Sequence, residues 1–397
     1  MRKTTHISGE SAGIDTQHIT ENQRYVKLIT QISDDFDLEK TAESGQCFRW
    51  EKADTTTRED APCSPSDSAD PVSAQCKGRD DGTGTDLTSV GSRAGGTNAD
   101  VTAGGGKDEV TNVGLTAGGS KADSANRPCT YRIIAGSSCL YITALDPGQG
   151  LYDLDCTEEE FAGFWHGYFD LNENYRRIRE RIDPEKDPFL RQAADREKGI
   201  RILRQDPWEM LITFIISQNK NIPGIRRCVE SLAKSCGQKK TDSRGIPYYA
   251  FPTPQQVASL SGEALAECRL GYRCKYVKAA AEAVLSEKIN LKALHAADEK
   301  TAIASLTGLY GVGVKVANCV SLFGLHHVDA FPVDVWVKRI LAEEYPDGYP
   351  FEQYSPFNGI YQQYMFAYYR HQASQITGTK PVKKQKAEMN RGRKKLE

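Results

Sequence analysis

Between about residues 53 and 127 the chain carries hardly any large apolar side chain: GRDDGTGTD, GSRAGGTNAD, TAGGGKDE and TAGGSKADSANR are built from Gly, Thr, Ser, Ala and Asp. Such a stretch cannot bury enough surface to offset the entropy of ordering it, and reads as a disordered insertion. The fold must therefore come from what lies on either side. From about Tyr25 to Trp50, YVKLIT and CFRW mix β-branched and aromatic residues with polar ones and predict short strands. TYRIIAG and CLYITAL resume that pattern after the insertion. The insertion is thus expected in a hairpin loop of one sheet rather than between two domains, because loop-closure entropy grows only slowly with length.

After Asp155 the texture becomes helical. TEEEFAGFWHGYF opens with acidic residues and continues with apolar ones at helical spacing, and PGIRRCVESLAKSC and KYVKAAAEAVLSEK repeat the period. An all-helical body is expected to follow the sheet, so the fold class is α+β. The boundaries read as a flexible N-terminus over 1–22, an antiparallel β-sheet domain over 23–155 holding the insertion, a helical domain over 156–377, and a flexible basic tail over 378–397.

At 397 residues the chain can hold two or three domains and a sizeable core. Its net charge of −2 argues neither for nor against a polyanionic partner. The 11 cysteines are odd in number and form no CxxC pair, and no secretory leader is evident, which fits a reduced intracellular compartment. That would be the cytoplasm in a bacterium and the nucleus in a eukaryote. No apolar run approaches the ~18 residues of a membrane span, so a soluble protein without a membrane partner is expected.

The most informative stretch is LTGLYGVGVKVANCVSLFGL, residues 306–325, followed by HHVDAFPVDVWVKRIL. Two helices joined by the tight turn LYGVG are expected, a helix-hairpin-helix over about 300–325. Gly311 and Gly313 would let the backbone approach a ligand, and a helix beginning near Val314 would present unpaired amides, an anion site suited to a DNA phosphate. GxG alone would equally serve a plain helix connection.

Lys315 falls on the first turn of that helix, where a cation is electrostatically misplaced unless it has another task. The helix-end field and burial disfavour the ammonium form, and a neutral lysine is a nucleophile able to form a Schiff base with a sugar C1′. The plainer role is a phosphate contact. Asp334, between Pro332 and the helical run VWVKRIL, reads as an N-cap; a carboxylate there could also stabilise the positive charge that develops on a sugar as its base leaves.

These segments together resemble the 8-oxoguanine DNA glycosylase/AP lyase family of the helix-hairpin-helix DNA glycosylases, over essentially everything except the N-terminus, the insertion and the basic tail, and closer to its bacterial branch. GVGVKVANC is similar to the family's GVGxKVADC, which implies that Lys315 is the catalytic lysine and Cys319 the cysteine packing on the flipped base. PVDV implies Asp334 as the catalytic aspartate. SGQCFRW resembles the SGQxFRW loop, whose glycine carbonyl, here that of Gly45, accepts the N7 hydrogen that 8-oxoguanine has and guanine lacks. RILRQDPWEMLITFIISQNKNIPGI implies that Asn219 helps fill the gap left by the extruded base. LGYRCKYV implies that Tyr272 wedges into the stack while Arg273 faces the unpaired partner base. YQQYMFAYY resembles the base-pocket helix, with Gln362 near the Watson–Crick edge and Phe366 against the base's face. Three departures stand out: Tyr310 replaces the usual hairpin proline, Trp336 stands where a phosphate-contacting histidine is common, and Gly224 replaces an arginine that in animal members reads the opposite cytosine.

The resemblance implies a bifunctional DNA glycosylase/AP lyase acting as a monomer on double-stranded DNA that contains an oxidised purine. It implies no cofactor, leaving open a monovalent cation at the hairpin. An iron–sulfur cluster, carried by endonuclease III-like relatives on four cysteines after the hairpin, is not expected, because no cysteine follows Cys319. The alternatives are a helix-hairpin-helix glycosylase for an alkylated base and a noncatalytic helix-hairpin-helix DNA-binding protein. Neither would need Lys315.

Overall fold

A computed structural model of the chain describes residues 27–53 and 128–378. The expected N-terminal segment, insertion and basic tail lie outside the described residues. Strands β1 (Leu28–Gln31), β2 (Trp50–Lys52), β3 (Cys129–Ala135), β4 (Ser138–Asp146) and β5 (Leu151–Leu154) form one antiparallel sheet in the order β1-β5-β4-β3-β2. The strands flanking the insertion are direct neighbours: Trp50 lies opposite Ile133 and Lys52 opposite Tyr131, and the Ala53 amide donates to the Thr130 carbonyl over 2.8 Å. The large apolar residues face inward, with Trp50, Ile133, Leu140, Ile142, Tyr152 and Leu154 all buried.

The helical body is punctuated by caps that the sequence supplies at the right spacing. Asp206 accepts from the Glu209 amide at the start of a helix over Pro207–Ser217, and Asn221 accepts from the Gly224 amide at the start of one over Ile222–Cys236. Both helices carry proline in the first turn, where a missing N–H costs nothing. The helices over Glu299–Thr307 and Val314–Phe323 form the expected hairpin pair, and the helices over Val335–Glu344 and Asn358–Gly378 complete the surroundings of the site.

Two apolar clusters fill the described residues, one under the sheet and one within the helices. The segment Gly45–Trp50 serves both, since Cys47 and Trp50 pack into the first and Phe48 into the second. Gln46 locks it in place. Its side chain donates to the Arg201 carbonyl over 2.8 Å and accepts from the Leu203 amide over 2.9 Å, while its own carbonyl accepts from the Gln205 side chain over 3.0 Å. A buried amide satisfied on both sides ties the loop to backbone far away in sequence.

Two local expectations are corrected. The chain between Tyr25 and Trp50 is not strand throughout: Leu38–Glu43 is a short helix capped by Asp37, and CFRW reaches strand geometry only at Trp50. Aspartate ahead of helix formers won over β-branched content. The body is also not wholly helical, because Lys239–Thr241 and Pro247–Tyr249 pair as a small hairpin closed by Gly245 at φ +79°. No helix among the described residues is long and apolar enough to cross a membrane.

Candidate active site

Gly45, Lys315, Cys319, Asp334, Gln362 and Phe366 line one small cavity. They come from four separate segments: the loop before β2, the second hairpin helix, the start of the helix at Val335 and the helix from Asn358. Each is held by its own local device.

Gly313 caps the helix Val314–Phe323, so Lys315 is its second residue. The ammonium lies 6.0 Å from the Phe214 ring centroid. Lys315 is exposed, so the burial expected of it is absent, although its place at the helix N-terminus stands. One turn on, Cys319 is buried, and burial pushes its thiol up to about 11 against the lowering pull of the Lys315 charge and hydrogen bond. A thiol so placed is an apolar wall rather than a nucleophile at neutral pH.

Asp334 caps the helix Val335–Glu344, its Oδ1 accepting from the amides of both Trp336 and Val337 at 2.9 Å. One oxygen therefore does the capping. Oδ2 has no hydrogen bond among the described residues, and the side chain lines the cavity shared with Lys315. Cap and charge stabiliser are compatible in one residue.

Gly45 has φ +85°, a conformation that side chains with a Cβ rarely adopt, and an added Cβ would sit 3.4 Å from Phe366 Cε1. The residue before it is fixed from across the cavity, since the Gln363 side-chain amide donates to the Ser44 carbonyl. Gln362, 3% exposed, keeps a side-chain oxygen with no partner on the cavity wall. An unmet buried acceptor is costly unless a ligand donor completes it.

The residues expected to meet DNA form a second group. Asn219 is exposed and left-handed at φ +54°, and Tyr272 is 50% exposed. Gly313 leaves open space where a Cβ would stand, consistent with backbone approached from outside. Gly311 differs from expectation: at φ +81°, an added Cβ would fall 2.2 Å from Tyr276 Cγ, so the missing side chain makes room for a neighbour within the fold. Arg273 also differs. It is buried, donating from Nε to the Gln218 carbonyl over 2.8 Å, from Nη2 to that same carbonyl, and from Nη1 to the Leu270 carbonyl over 3.2 Å. In this conformation the guanidinium pins the turn that carries Tyr272 instead of facing outward.

Several contributors were not singled out in the sequence. Phe214 and Phe323, stacked at 5.6 Å, also line the cavity, and Gln363 positions the loop. Gln218 joins the turns: besides holding Arg273, its side chain donates to the Gly311 carbonyl over 3.0 Å. Within SQNKN the resemblance points to Asn219, while the residue beside it, Gln218, makes the bonds between turns. The three departures are accommodated: Trp336 packs edge-on against Tyr369 at 6.3 Å, Tyr310 against Tyr276 at 4.9 Å, and Gly224 lies under the Asn221 cap, whose Oδ1 would be 2.8 Å from an added Cβ.

A family model described as 8-oxoguanine DNA glycosylase, N-terminal domain, matches residues 123–211, and one described as HhH-GPD superfamily base excision DNA repair protein matches 212–346. An N-glycosylase/DNA lyase of Saccharomyces cerevisiae is 39% identical over 37% of this chain and 42% of its own length. The chain spans less than half the length of this relative and of its Arabidopsis thaliana counterpart, where the share is 43%. Among solved structures, MBOgg1 bound to a low-affinity DNA ligand is 30% identical, covering 90% of this chain and 99% of that one with a TM-score of 0.65. A Clostridium acetobutylicum 8-oxoguanine glycosylase/lyase bound to DNA with cytosine opposite 8-oxoguanine is 25% identical, covering 92% and 100%, with a TM-score of 0.66.

Proposed function

The chain belongs to the 8-oxoguanine DNA glycosylase family of the HhH-GPD base excision repair superfamily, and from that premise we propose that it is a bifunctional DNA glycosylase/AP lyase that excises 8-oxoguanine from duplex DNA. The observation that carries this is the meeting of Lys315 and Asp334 in one cavity with Gly45, Cys319, Gln362 and Phe366.

A base inside a duplex is out of reach, so it must be extruded, at a cost of a few kcal/mol that contacts with the flanking DNA offset. Tyr272 and Asn219, exposed beside the hairpin, suit the wedge and the gap filler, and the open N-terminus at Gly313 suits a phosphate. Within the cavity, the Gly45 carbonyl would accept the N7 hydrogen of 8-oxoguanine. Guanine would set a lone pair against it, a mismatch worth ~1–3 kcal/mol. The unmet oxygen of Gln362 is suited to a donor on the Watson–Crick edge.

The Lys315 amine then attacks C1′ as the C1′–N9 bond breaks, the electron pair leaving with the base. The Asp334 side chain stabilises the positive charge that develops on the sugar as that bond breaks. Loss of a proton from the nitrogen and ring opening give the imine, which makes the C2′ proton acidic. Its removal expels the 3′-phosphate and cuts the strand. We further propose that the protein acts as a monomer inside the cell.

Borohydride trapping on duplexes with 8-oxoguanine opposite each normal base tests the proposal. A covalent adduct should form with the wild-type chain and vanish in Lys315→Gln. No adduct with intact protein, or one undiminished in Lys315→Gln, would overturn it.

A further inference from the structure

Beside the hairpin, three tyrosines form a continuous row. Tyr276 stands edge-to-face with Tyr272, at 5.9 Å and 77°, and with Tyr310, at 4.9 Å and 84°. The middle ring is held against the backbone of Gly311, which would clash with it if it carried a Cβ. The outer rings are not covered: Tyr272 is 50% and Tyr310 57% exposed. Lys275 completes the group, its ammonium 5.5 Å from the centroids of both Tyr276 and Tyr310.

Large rings left in water carry a cost that packing within the fold does not explain, and here one of them, Tyr310, has an ammonium against it. Exposed rings with an interleaved positive charge are the chemistry that holds an unstacked nucleotide, the rings taking the base and the ammonium the phosphate. Tyr272 alone would offer one such face. Tyr310, on the hairpin turn itself, extends it to the segment that presents Gly313 and the helix amides.

We propose that Tyr310 and Lys275, together with Tyr272, form a platform for a nucleotide of the DNA duplex displaced from its stack beside the damaged position. The inference rests on the proposed DNA substrate, and it assigns to Tyr310 and Lys275 contacts with DNA outside the base-excising cavity. A row of rings serving only to join two turns of the protein would leave DNA affinity indifferent to both residues.

Equilibrium binding of the full-length protein to two duplexes decides it, one carrying a tetrahydrofuran abasic analogue and one undamaged, each measured over a range of salt concentrations. Tyr310→Ala should bind the abasic duplex about tenfold more weakly while Tyr310→Phe binds like wild type, since the ring and not the hydroxyl stacks. Lys275→Ala should reduce the slope of log affinity against log salt by about 0.9, the signature of one lost phosphate contact. Both residues are exposed, and thermal unfolding checks that the variants fold. Wild-type affinity in Tyr310→Ala, or an unchanged salt slope in Lys275→Ala, overturns the platform. The assay needs no excision: variants behaving as expected in a chain that does not release 8-oxoguanine would overturn the proposed function and leave the platform standing.

Discussion

Gln218 donates its side-chain amide to the carbonyl of Gly311 over 3.0 Å, while its own carbonyl receives the guanidinium of Arg273. One residue thus holds together the hairpin turn, the turn that carries Tyr272, and the left-handed turn at Asn219. None of these segments is near another in sequence, and their common geometry depends on hydrogen bonds that no local pattern announces.

Gln218→Leu should therefore cost about 1–2 kcal/mol in denaturant unfolding, the usual result of leaving a part-buried carbonyl without its partner. It should also weaken binding to abasic duplex DNA, because the hairpin turn at Gly311 loses its tie to the turn at Asn219. Stability and affinity both at wild-type levels would show that the bond is idle.

Asp334 separates folding from chemistry. Asp334→Asn keeps an oxygen able to cap the Trp336 and Val337 amides, so unfolding should shift by less than about 1 kcal/mol. The charge proposed to face the sugar is gone, and single-turnover excision should fall by roughly a hundredfold or more. Excision near the wild-type rate would remove Asp334 from the mechanism.

Gly45→Ala meets two obstacles. The left-handed backbone strains any residue with a Cβ, by about 1 kcal/mol. The new methyl also stands 3.4 Å from Phe366 Cε1, narrowing the slot between loop and ring. Excision of 8-oxoguanine should drop more than binding to an abasic duplex, in which no base enters the slot. Equal losses on both would point to a disrupted loop instead.

Cys319 should react slowly with iodoacetamide near neutral pH, since burial holds its thiol at about 11. The Lys315 ammonium is one of the influences lowering that value, so Lys315→Gln should raise it and slow alkylation further. Mass spectrometry across pH reads the change; faster labelling in Lys315→Gln would contradict the geometry.

Glu209 is buried against the Gly136 amide, and burial raises its carboxyl from 4.5 to about 7, with Arg49 pulling the other way. The folded value lies above the unfolded one, so the stability this group contributes is complete below about 4.5 and is lost as pH rises through about 7. Unfolding at pH 5 and pH 8 should show the wild type losing on the order of 1–3 kcal/mol relative to Glu209→Gln. Parallel pH profiles for the two proteins would refute the shift.

Much of the site was legible because its parts are locally encoded. The hairpin glycines, the lysine on the first helical turn and the aspartate before VWVKRIL are short-range features, and the described structure has the helix starting at Val314 and the cap at Asp334. Phe214 and Phe323 were hidden in ordinary apolar stripes, since a residue that walls a cavity and one that fills a core share the same period. The inward turn of Arg273 was equally invisible, because an LGYR motif does not say whether its carbonyl partners lie near enough to saturate a guanidinium. The helix at Leu38 and the hairpin at Lys239 were missed because three to six residues carry too little periodicity to outweigh composition.

By itself, then, the sequence determined which side chains are present and how each short segment is bent: φ, caps and helical period follow from neighbours a few residues apart. Only the tertiary structure decided that Gly45, Lys315, Asp334 and Gln362 share one cavity. That choice belongs to contacts between distant segments, such as Gln46 with Leu203 and Gln363 with Ser44, whose energy appears only once the sheet and the helices have packed.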